Sequence, residues 1–386
     1  MAARKRASAT TATDTKPSPP QTQTTTTQIE PPIAPPKKGL IFKFCCFFSI
    51  PYFYLLFQHY KIERDLKRSI LINAALSIAG FFLTQRMIPV ASRYVLKRGL
   101  FGFDINKKGT PQGAIKVPES LGIVVGIVFL VLAILFQYFN FTADSNWLVE
   151  YNAALASICF MILLGFVDDV LDVPWRVKLL LPSFAALPLL MAYAGHTTII
   201  IPKPLVFYIG QEVLDLGWVY KLYMGLLAVF CTNSINIHAG LNGLEVGQTV
   251  VIASAILIHN LMQIGVSSDP EYKQAHAFSI YLVQPLLATS LALLSFNWYP
   301  SSVFVGDTYT YFAGMTMAVV GILGHYRFNP ETGLLTGTQD GTLVNFYLRI
   351  FGPKSEKSLC IHLLLVQALG CCFCFMLRYF LAGWYK

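Results

Sequence analysis

The chain has 386 residues, of which 55% are hydrophobic and 13% are charged. An average soluble domain carries about 25% charged residues, so this composition excludes an ordinary soluble globular protein. Since one bilayer crossing takes about 20 apolar residues, we predict a polytopic membrane protein. The formal net charge of +9 is gathered in a few loops rather than along one helix face, which disfavours nucleic acid as a partner.

Composition divides the chain into two parts. Residues 1–38 are rich in Thr and Pro and poor in aromatic and branched apolar residues, so we predict a disordered cytosolic tail. Residues 39–386 are predicted to form one membrane domain. Its first segment, residues 39–60, is a candidate for an extra span, although Lys43 and Pro51 interrupt the apolar run.

Nine further apolar stretches bring the predicted number of spans to about ten. They are residues 70–90, 118–139, 148–166, 177–195, 220–239, 246–266, 276–296, 308–325 and 359–384. Because unpaired backbone groups are costly in lipid, we predict that each stretch is a helix. The expected fold class is therefore all-α, a polytopic bundle of transmembrane helices.

The loops differ in basic residues, which sets the expected orientation. Residues 91–117 carry six Lys or Arg side chains, whereas residues 140–147 carry none. Basic loops stay on the cytosolic side of a membrane, so we predict that 91–117 faces the cytosol. Counting crossings from there places residues 168–178, 236–245 and 297–307 on the same side.

Two adjacent carboxylates end one of the predicted helices. Asp168 and Asp169 follow an apolar run, and Arg176 and Lys178 come shortly after them. Ionised groups in such a place are costly unless they are paired or functional, so a salt-bridged helix end and a site for phosphate charge are both open. Successive helical residues point about 100° apart, and we expect the two carboxylates to have different partners.

Amides and a third acid lie in two other segments on the same predicted side. Asn233 and Asn236 share a helix face, where they either bond neighbouring helices or bind a cation or a phosphate. Asp307 opens an apolar helix, where it either caps that helix or belongs to a site. Mg²⁺ takes one or two protein oxygens and completes its shell with water and phosphates, so Asn236 and Asp307 form a candidate ligand pair.

Other chemistries receive less support from the sequence. The eight cysteines carry no CxxC spacing and are interpreted as packing residues. The chain has no GxxxxGK[ST], HExxH or GxGxxG motif, which disfavours ATPases and zinc proteases. A nucleotide-sugar transporter is a further alternative, but the charged residues gather at one predicted face instead of the middle of the bilayer.

Residues 166–178, 233–245 and 304–308 together resemble the polyprenyl-phosphate N-acetylhexosamine-1-phosphate transferases, and the resemblance runs in order from about residue 70. It implies transfer of GlcNAc-1-phosphate from UDP-N-acetylglucosamine (UDP-GlcNAc) to dolichyl phosphate, with release of UMP. The implied location is the endoplasmic reticulum membrane, with the site facing the cytosol, in the first step of the lipid-linked oligosaccharide pathway for N-glycosylation. Tunicamycin-type uridine analogues are expected to inhibit.

The resemblance also implies roles for individual residues. Asn236 and Asp307 are expected to hold Mg²⁺. The implied catalytic residues are Asp168, Asp169 and Lys178. The implied contacts to dolichyl phosphate are Lys178, Asn233 and Asn236. The implied contacts to UDP-GlcNAc are Asp104, Ile105, Glu119, Trp175, Asn242 and Phe304.

The chain departs from the family pattern in one segment. The family carries a further transmembrane helix and a loop with Arg-His-Arg, and that segment is missing here between residues 326 and 327; the chain contains no Arg-His-Arg. Losing such cations is expected to weaken catalysis. The alternative function is therefore a catalytically impaired short form that acts as a non-catalytic membrane partner of a full-length enzyme, and a homodimer is also open. With one crossing fewer, counting puts the start of the last helix on the lumenal side, but Arg349, Lys354 and Lys357 are unfavourable there, so the orientation of that helix stays open.

Overall fold

A computed structural model describes residues 35–142, 145–193, 197–201, 203–211, 213–237, 239–323 and 355–381. Most of the predicted tail, residues 1–34, and the predicted break between residues 326 and 327 lie outside these described residues. The predicted membrane domain begins on helical structure, since residue 38 already opens the first helix.

The described chain is almost entirely helical. The long helices are α1 (Lys38–Tyr54), α2 (Arg64–Lys97), α3 (Gly122–Asn140), α4 (Asn146–Leu171), α8 (Trp218–Ile237), α9 (Leu244–Val266), α10 (Pro270–Asn297), α11 (Gly306–Leu323) and α12 (Glu356–Leu381). The short helices are α5 (Trp175–Ala185), α6 (Leu187–Ala192) and α7 (Lys203–Ile209), and a π-helical turn (Leu55–His59) continues α1.

Two short antiparallel hairpins lie between the helices. Strand β1 (Phe101–Gly102) pairs with β2 (Val117–Pro118), with Phe101 opposite Pro118. Strand β3 (Thr198–Ile200) pairs with β4 (Val213–Asp215). Both hairpins connect helices, so they belong to the two ends of the bundle.

Eight described helical segments are long and apolar enough to cross a membrane, which confirms the all-α polytopic fold class. They are Lys38–His59, Arg64–Lys97, Gly122–Asn140, Asn146–Leu171, Trp175–Ala192, Leu244–Val266, Pro270–Asn297 and Glu356–Arg378. The other two predicted spans correspond to α8 and α11. Both are helices within the bundle, but α8 contains Asn233 and Asn236 and α11 contains Asp307, which lowers their hydropathy.

Helix α10 forms the centre of the bundle. It packs against α2, α9 and α11. Every residue from Ala275 to Asn297 except Ala288 is buried. Small hydroxyl residues such as Ser279 and Ser290 are fully buried on it. Small and hydroxylated side chains let membrane helices approach closely, which explains why a helix of moderate hydropathy occupies the core.

Two glycines bring α11 against α4 and α8. A Cβ atom on Gly165 of α4 would lie 2.5 Å from the Cα of Thr308. A Cβ atom on Gly314 of α11 would lie 2.5 Å from the Cα of Thr232 in α8. Only glycine allows these backbone approaches, and they fix the start of α11 beside the end of α4.

The contacts at the start of the last helix bear on its orientation. The Glu356 Oε1 atom of α12 accepts a 2.9 Å hydrogen bond from the Asn242 backbone N–H, and Leu359 and Leu363 pack on Leu244 at the start of α9. Helix α12 therefore begins at the end of the bundle that carries Asn242, which is not the end that counting crossings gives. Residues 324–354, between α11 and α12, lie outside the described residues, so the count of crossings before α12 is not complete.

Candidate active site

Three helix ends bring two carboxylates onto one ammonium group. The Lys178 Nζ atom lies 2.9 Å from Asp168 Oδ2 and 3.2 Å from Asp307 Oδ2. Asp168 belongs to the last turn of α4, Lys178 to the first turn of α5, and Asp307 to the first turn of α11. The residues that the sequence placed in separate loops on one side therefore meet in one cluster.

The short connection between α4 and α5 sets the position of Lys178. Helix α4 ends at Leu171, and Asp172 adopts a left-handed conformation with φ of 52°. Pro174 precedes α5, which keeps Val173 out of a helical conformation. The Val173 N–H then donates to Asp168 Oδ1 at 2.9 Å, which closes the turn and returns the Lys178 side chain to the end of α4.

Asp168 is the buried anchor of the cluster. Its side chain is 1% exposed, whereas those of Lys178 and Asp307 are 23% and 27% exposed. The Tyr311 hydroxyl also donates to Asp168 Oδ2, at 3.0 Å. Lys178 and Asp307 are thus the accessible members of the cluster.

Asp169 has a different environment, as expected for its neighbouring helix position. Its Oδ1 accepts from the Asp307 N–H at 2.6 Å, and its Oδ2 accepts from the Thr308 hydroxyl at 2.5 Å and the Thr308 N–H at 3.2 Å. It therefore caps α11 from a neighbouring helix. The capping role that the sequence left open for Asp307 belongs to Asp169, which acts as a positioning residue for Asp307.

The cluster suits a divalent cation by its charge and donor types. Asp168, Asp169 and Asp307 supply three carboxylates against the single ammonium of Lys178, which leaves excess negative charge beside the exposed Asp307 oxygens. Among the described residues, no three His, Cys, Asp or Glu side chains form a metal cage. Mg²⁺ needs only one or two protein oxygens when phosphates complete its shell, so the residues present fit this ion.

Asn236 lies at the same end of the bundle as Asp307. It is four residues past Thr232, where α8 packs on Gly314, and Asp307 is seven residues before Gly314. With a rise of about 1.5 Å per residue, antiparallel α8 and α11 bring the two residues to the same end, about one helical turn apart in height. Asn236 is half-buried, and Asn233 bonds its own helix through its amide, 2.9 Å from the Val229 carbonyl oxygen.

A second group of predicted residues lies on the loop after β1. Asp104 Oδ2 is 2.7 Å from Lys107 Nζ and accepts a 2.9 Å hydrogen bond from Asn242 Nδ2. Partial burial opposes ionisation, but the hydrogen bonds from Lys107 and Asn242 outweigh it and hold the pKa of the Asp104 carboxyl below its ordinary value. This hydrogen bond joins the loops of Asp104 and Asn242, which are 138 residues apart in sequence.

The β1–β2 hairpin brings Phe304 and Glu119 together. The Phe304 N–H donates to the Pro118 carbonyl at 2.8 Å, which attaches the segment before α11 to β2. A Cβ atom on Gly102 would lie 3.2 Å from both Glu119 Oε2 and Phe304 Cδ2, so these two side chains pack closely over the glycine. The Phe304 ring is 5% exposed.

Ile105 and Trp175 complete the predicted set. Ile105 opens a single 3₁₀ turn (Ile105–Lys107) directly after Asp104. Trp175 is the first residue of α5 and is 54% exposed, so it lies on the helix that carries Lys178 rather than on the β1–β2 hairpin.

Sequence reasoning missed three residues that contact the predicted ones. Tyr311 lies four residues after Asp307, a spacing that puts both on one helix face, and this signal was available. Thr308 directly follows Asp307 and gives no comparable signal. Glu356 lies 114 residues after Asn242, and no local pattern links the two.

Comparison with known proteins agrees with this geometry. The model of glycosyl transferase family 4 matches residues 151–325, which include the Asp168, Lys178 and Asp307 cluster. The UDP-N-acetylglucosamine–dolichyl-phosphate N-acetylglucosaminephosphotransferase of Dictyostelium discoideum is 45% identical over 361 residues, 78% of this chain and 88% of the relative. The proteins of the same name from Schizosaccharomyces pombe and Saccharomyces cerevisiae are 38% and 39% identical, over 67% and 64% of this chain and 63% and 61% of their own lengths.

The fold and site thus define a membrane-embedded glycosyl transferase of this class. Its particular family is shown by the Dictyostelium relative, and the chain belongs to the UDP-N-acetylglucosamine–dolichyl-phosphate N-acetylglucosaminephosphotransferases. Since 78% of 386 residues is about 300, some 60 of the 361 aligned positions have no counterpart here. The break between residues 326 and 327 stays a prediction.

Proposed function

We propose that this protein transfers GlcNAc-1-phosphate from UDP-GlcNAc to dolichyl phosphate, giving GlcNAc-pyrophosphoryl-dolichol and UMP. The observation that carries the proposal is the contact of Lys178 with Asp168 and Asp307 at one end of a membrane bundle, in a chain of this family. A soluble nucleotide sugar and a lipid phosphate can meet only at a membrane surface, and a helix-end cluster provides such a place.

The reaction needs charge neutralisation more than proton transfer. An oxygen of dolichyl phosphate attacks the β-phosphorus of UDP-GlcNAc, and the bond from that phosphorus to the bridging oxygen breaks, so that oxygen leaves with UMP. The attacking phosphate is already ionised at pH 7, and catalysis of phosphoryl transfer rests on positioning and electrostatic stabilisation. A general base is therefore not required of Asp168.

The chain's own residues supply the positioning. Lys178 presents its ammonium to phosphate oxygens, while Asp168 orients it from a buried position. Asp307 and Asn236 are the residues that would hold Mg²⁺, which when bound neutralises the pyrophosphate. Asp104, Asn242, Glu119 and Phe304 lie on the segments that would receive the uridine half of the donor.

We place the site at the cytosolic face of the endoplasmic reticulum membrane. The support is the basic loop between α2 and α3, which belongs to the same end of the bundle as Asp104. Nothing in the comparisons favours the alternative of a non-catalytic partner. The absence of Arg-His-Arg from the sequence predicts slower turnover than in relatives that carry it.

The test is formation of GlcNAc-pyrophosphoryl-dolichol by the purified full chain from UDP-GlcNAc and dolichyl phosphate. We expect product with Mg²⁺, none after chelation with EDTA, recovery when Mg²⁺ is restored, and loss of product in Asp307→Ala. Folded wild-type protein that makes no product with Mg²⁺ would contradict the proposal. Product that survives chelation would contradict the role of the metal.

A further inference from the structure

The last helix reaches back to the loops around Asn242. The Glu356 Oε1 atom accepts from the Asn242 backbone N–H at 2.9 Å and from Asn106 Nδ2 at 3.2 Å. Glu356 is half-buried in the first turn of α12. One carboxylate oxygen from the end of the chain therefore holds two loops that are far apart in sequence.

The same loops are tied to each other by further hydrogen bonds. Asn106 Nδ2 also donates to the Gly240 carbonyl at 2.8 Å, and the Gly240 N–H donates to Glu245 Oε1 at 3.1 Å. Asn242 Nδ2 donates to Asp104 Oδ2 at 2.9 Å. Asn242 is thus fixed twice, through its side chain by Asp104 and through its main chain by Glu356.

Packing holds Glu356 in this position. Leu359, Cys360 and Leu363 form a small buried cluster with Leu244, which opens α9. A Cβ atom on Gly247 would lie 2.8 Å from Leu364 Cδ1, so α9 and α12 are in close contact. The carboxylate of Glu356 is therefore presented from a rigid helix rather than from a loop.

We propose that Glu356 is a positioning residue for the nucleotide half of the donor, acting through the main chain of Asn242 and the side chain of Asn106. This inference rests on the proposed function, because it assigns UDP-GlcNAc to the site that Asn242 borders. Hydrogen bonds to a charged group contribute more than neutral ones. Without Glu356 the Asn242 loop loses its main-chain anchor, and donor binding should weaken while acceptor binding does not change.

The experiment measures UDP-GlcNAc binding by calorimetry and, in parallel, the KM of each substrate, with the full chain in lipid nanodiscs. For Glu356→Ala we expect binding of UDP-GlcNAc and its KM to weaken at least about ten-fold, with the KM for dolichyl phosphate within about two-fold of wild type. Glu356→Gln keeps a carbonyl oxygen that can accept both hydrogen bonds, and it should lie within about three-fold of wild type.

Two further variants keep the test decisive. Asn106→Ala removes one of the two bonds to Glu356 without altering α12, and we expect a smaller shift in the same direction even where Glu356→Ala does not fold. Glu63→Ala serves as the matched control. It removes the 3.0 Å ion pair with Lys273, which lies in the first turn of α10, at the end of the bundle opposite to Asn242. It should bind UDP-GlcNAc as wild type does.

The outcomes separate the two proposals. Wild-type activity with unchanged donor binding in Glu356→Ala overturns the role of Glu356 and leaves the transferase standing. Wild type that binds UDP-GlcNAc but makes no product overturns the transferase, and the binding shifts of the variants then decide the role of Glu356. Equal weakening for donor and acceptor, or no rescue by Glu356→Gln, also overturns the positioning role, and so does a wild type that binds no UDP-GlcNAc.

Discussion

The Lys178 ammonium lies between a buried carboxylate and a partly exposed one, so its charge is fixed in place while one side stays accessible. Lys178→Met keeps the apolar stem of the side chain and removes the charge. Since losing one oriented group that stabilises developing charge costs about 100-fold or more in rate, we expect kcat to fall by at least that factor. Single-turnover assays of product formation measure this.

A matched control distinguishes this effect from the loss of any lysine. Lys273→Met removes an exposed ion pair at the other end of the bundle, and such pairs contribute at most about 1 kcal/mol. Its kcat should equal that of wild type. Similar rates for the two lysine variants would contradict the assignment of Lys178.

Substitutions of Asp169 and Asp307 should differ in their effect on stability. Asp169→Ala removes a buried cap from α11, and loss of a cap costs about 1–2 kcal/mol. We expect a lower melting temperature together with lower activity. Asp307→Ala should abolish activity with a melting temperature close to that of wild type, because its side chain is partly exposed. Equal melting temperatures for both variants would count against the capping role.

The separate roles of the adjacent residues Asp168 and Asp169 show how far sequence reasoning reaches at this scale. Their adjacency predicted different partners, and that is confirmed by the contacts of Asp168 with Lys178 and of Asp169 with Thr308. Which of the two faces Lys178 depends on the direction in which α4 meets α11. That direction is set by the backbone contact at Gly165, and no local pattern encodes it.

At the scale of elements, the close contact between α4 and α11 predicts that a larger residue at Gly165 destabilises the fold. Gly165→Leu would force a side chain into the backbone of Thr308, and overpacking of this kind costs about 1–3 kcal/mol. We expect lower yields of folded protein and a lower melting temperature. Gly370→Leu is the control, because a Cβ atom there meets nothing within 4 Å. If both variants melt alike, the close contact does not matter for stability.

The pairing of the Asp104 and Asn242 loops should respond to acid. Because the folded pKa of Asp104 lies below its ordinary value of 3.8, its ionised form stabilises the fold above that value. This contribution is lost as the pH falls through the folded pKa. Melting temperatures of wild type should therefore fall more steeply below about pH 4 than those of Asp104→Asn. Parallel pH profiles for the two proteins would contradict this.

The positions of the helices in the sequence were largely predictable from hydropathy, but the degree to which each helix is buried in the bundle was not. The stretches predicted at 220–239 and 308–325 correspond to helices α8 and α11, although their polar residues keep them below the apolarity of the eight candidate spans. Helix α10, by contrast, reads as an ordinary span and proves to be the buried centre. The burial of a helix depends on which other helices pack around it, and a single sequence does not record this.

At the scale of the whole molecule, the placement of both ends of the bundle can be measured. Single cysteines at Lys108 and Ser355, introduced into a cysteine-free chain, should react with a membrane-impermeant maleimide in sealed microsomes with the cytosolic side outward. A cysteine at Ser268, in the exposed turn between α9 and α10, should react only after permeabilisation.

The expectation for Ser355 follows from the contact of Glu356 with Asn242, and it differs from what counting crossings predicts. Protection of Ser355→Cys together with labelling of Lys108→Cys would contradict the structure of α12. Protection of both would instead reverse the proposed orientation of the site.

The position of Glu356 also bears on how the protein is made. Asp104 lies in the first third of the chain, Asn242 in the middle and Glu356 in the last tenth, and hydrogen bonds join all three regions. A ribosome must therefore deliver α12 to the membrane before the main chain of Asn242 gains its anchor. Partly synthesised chains already hold Asp168, Lys178 and Asp307, but the loop of Asn242 gains its main-chain anchor only after α12 has been made.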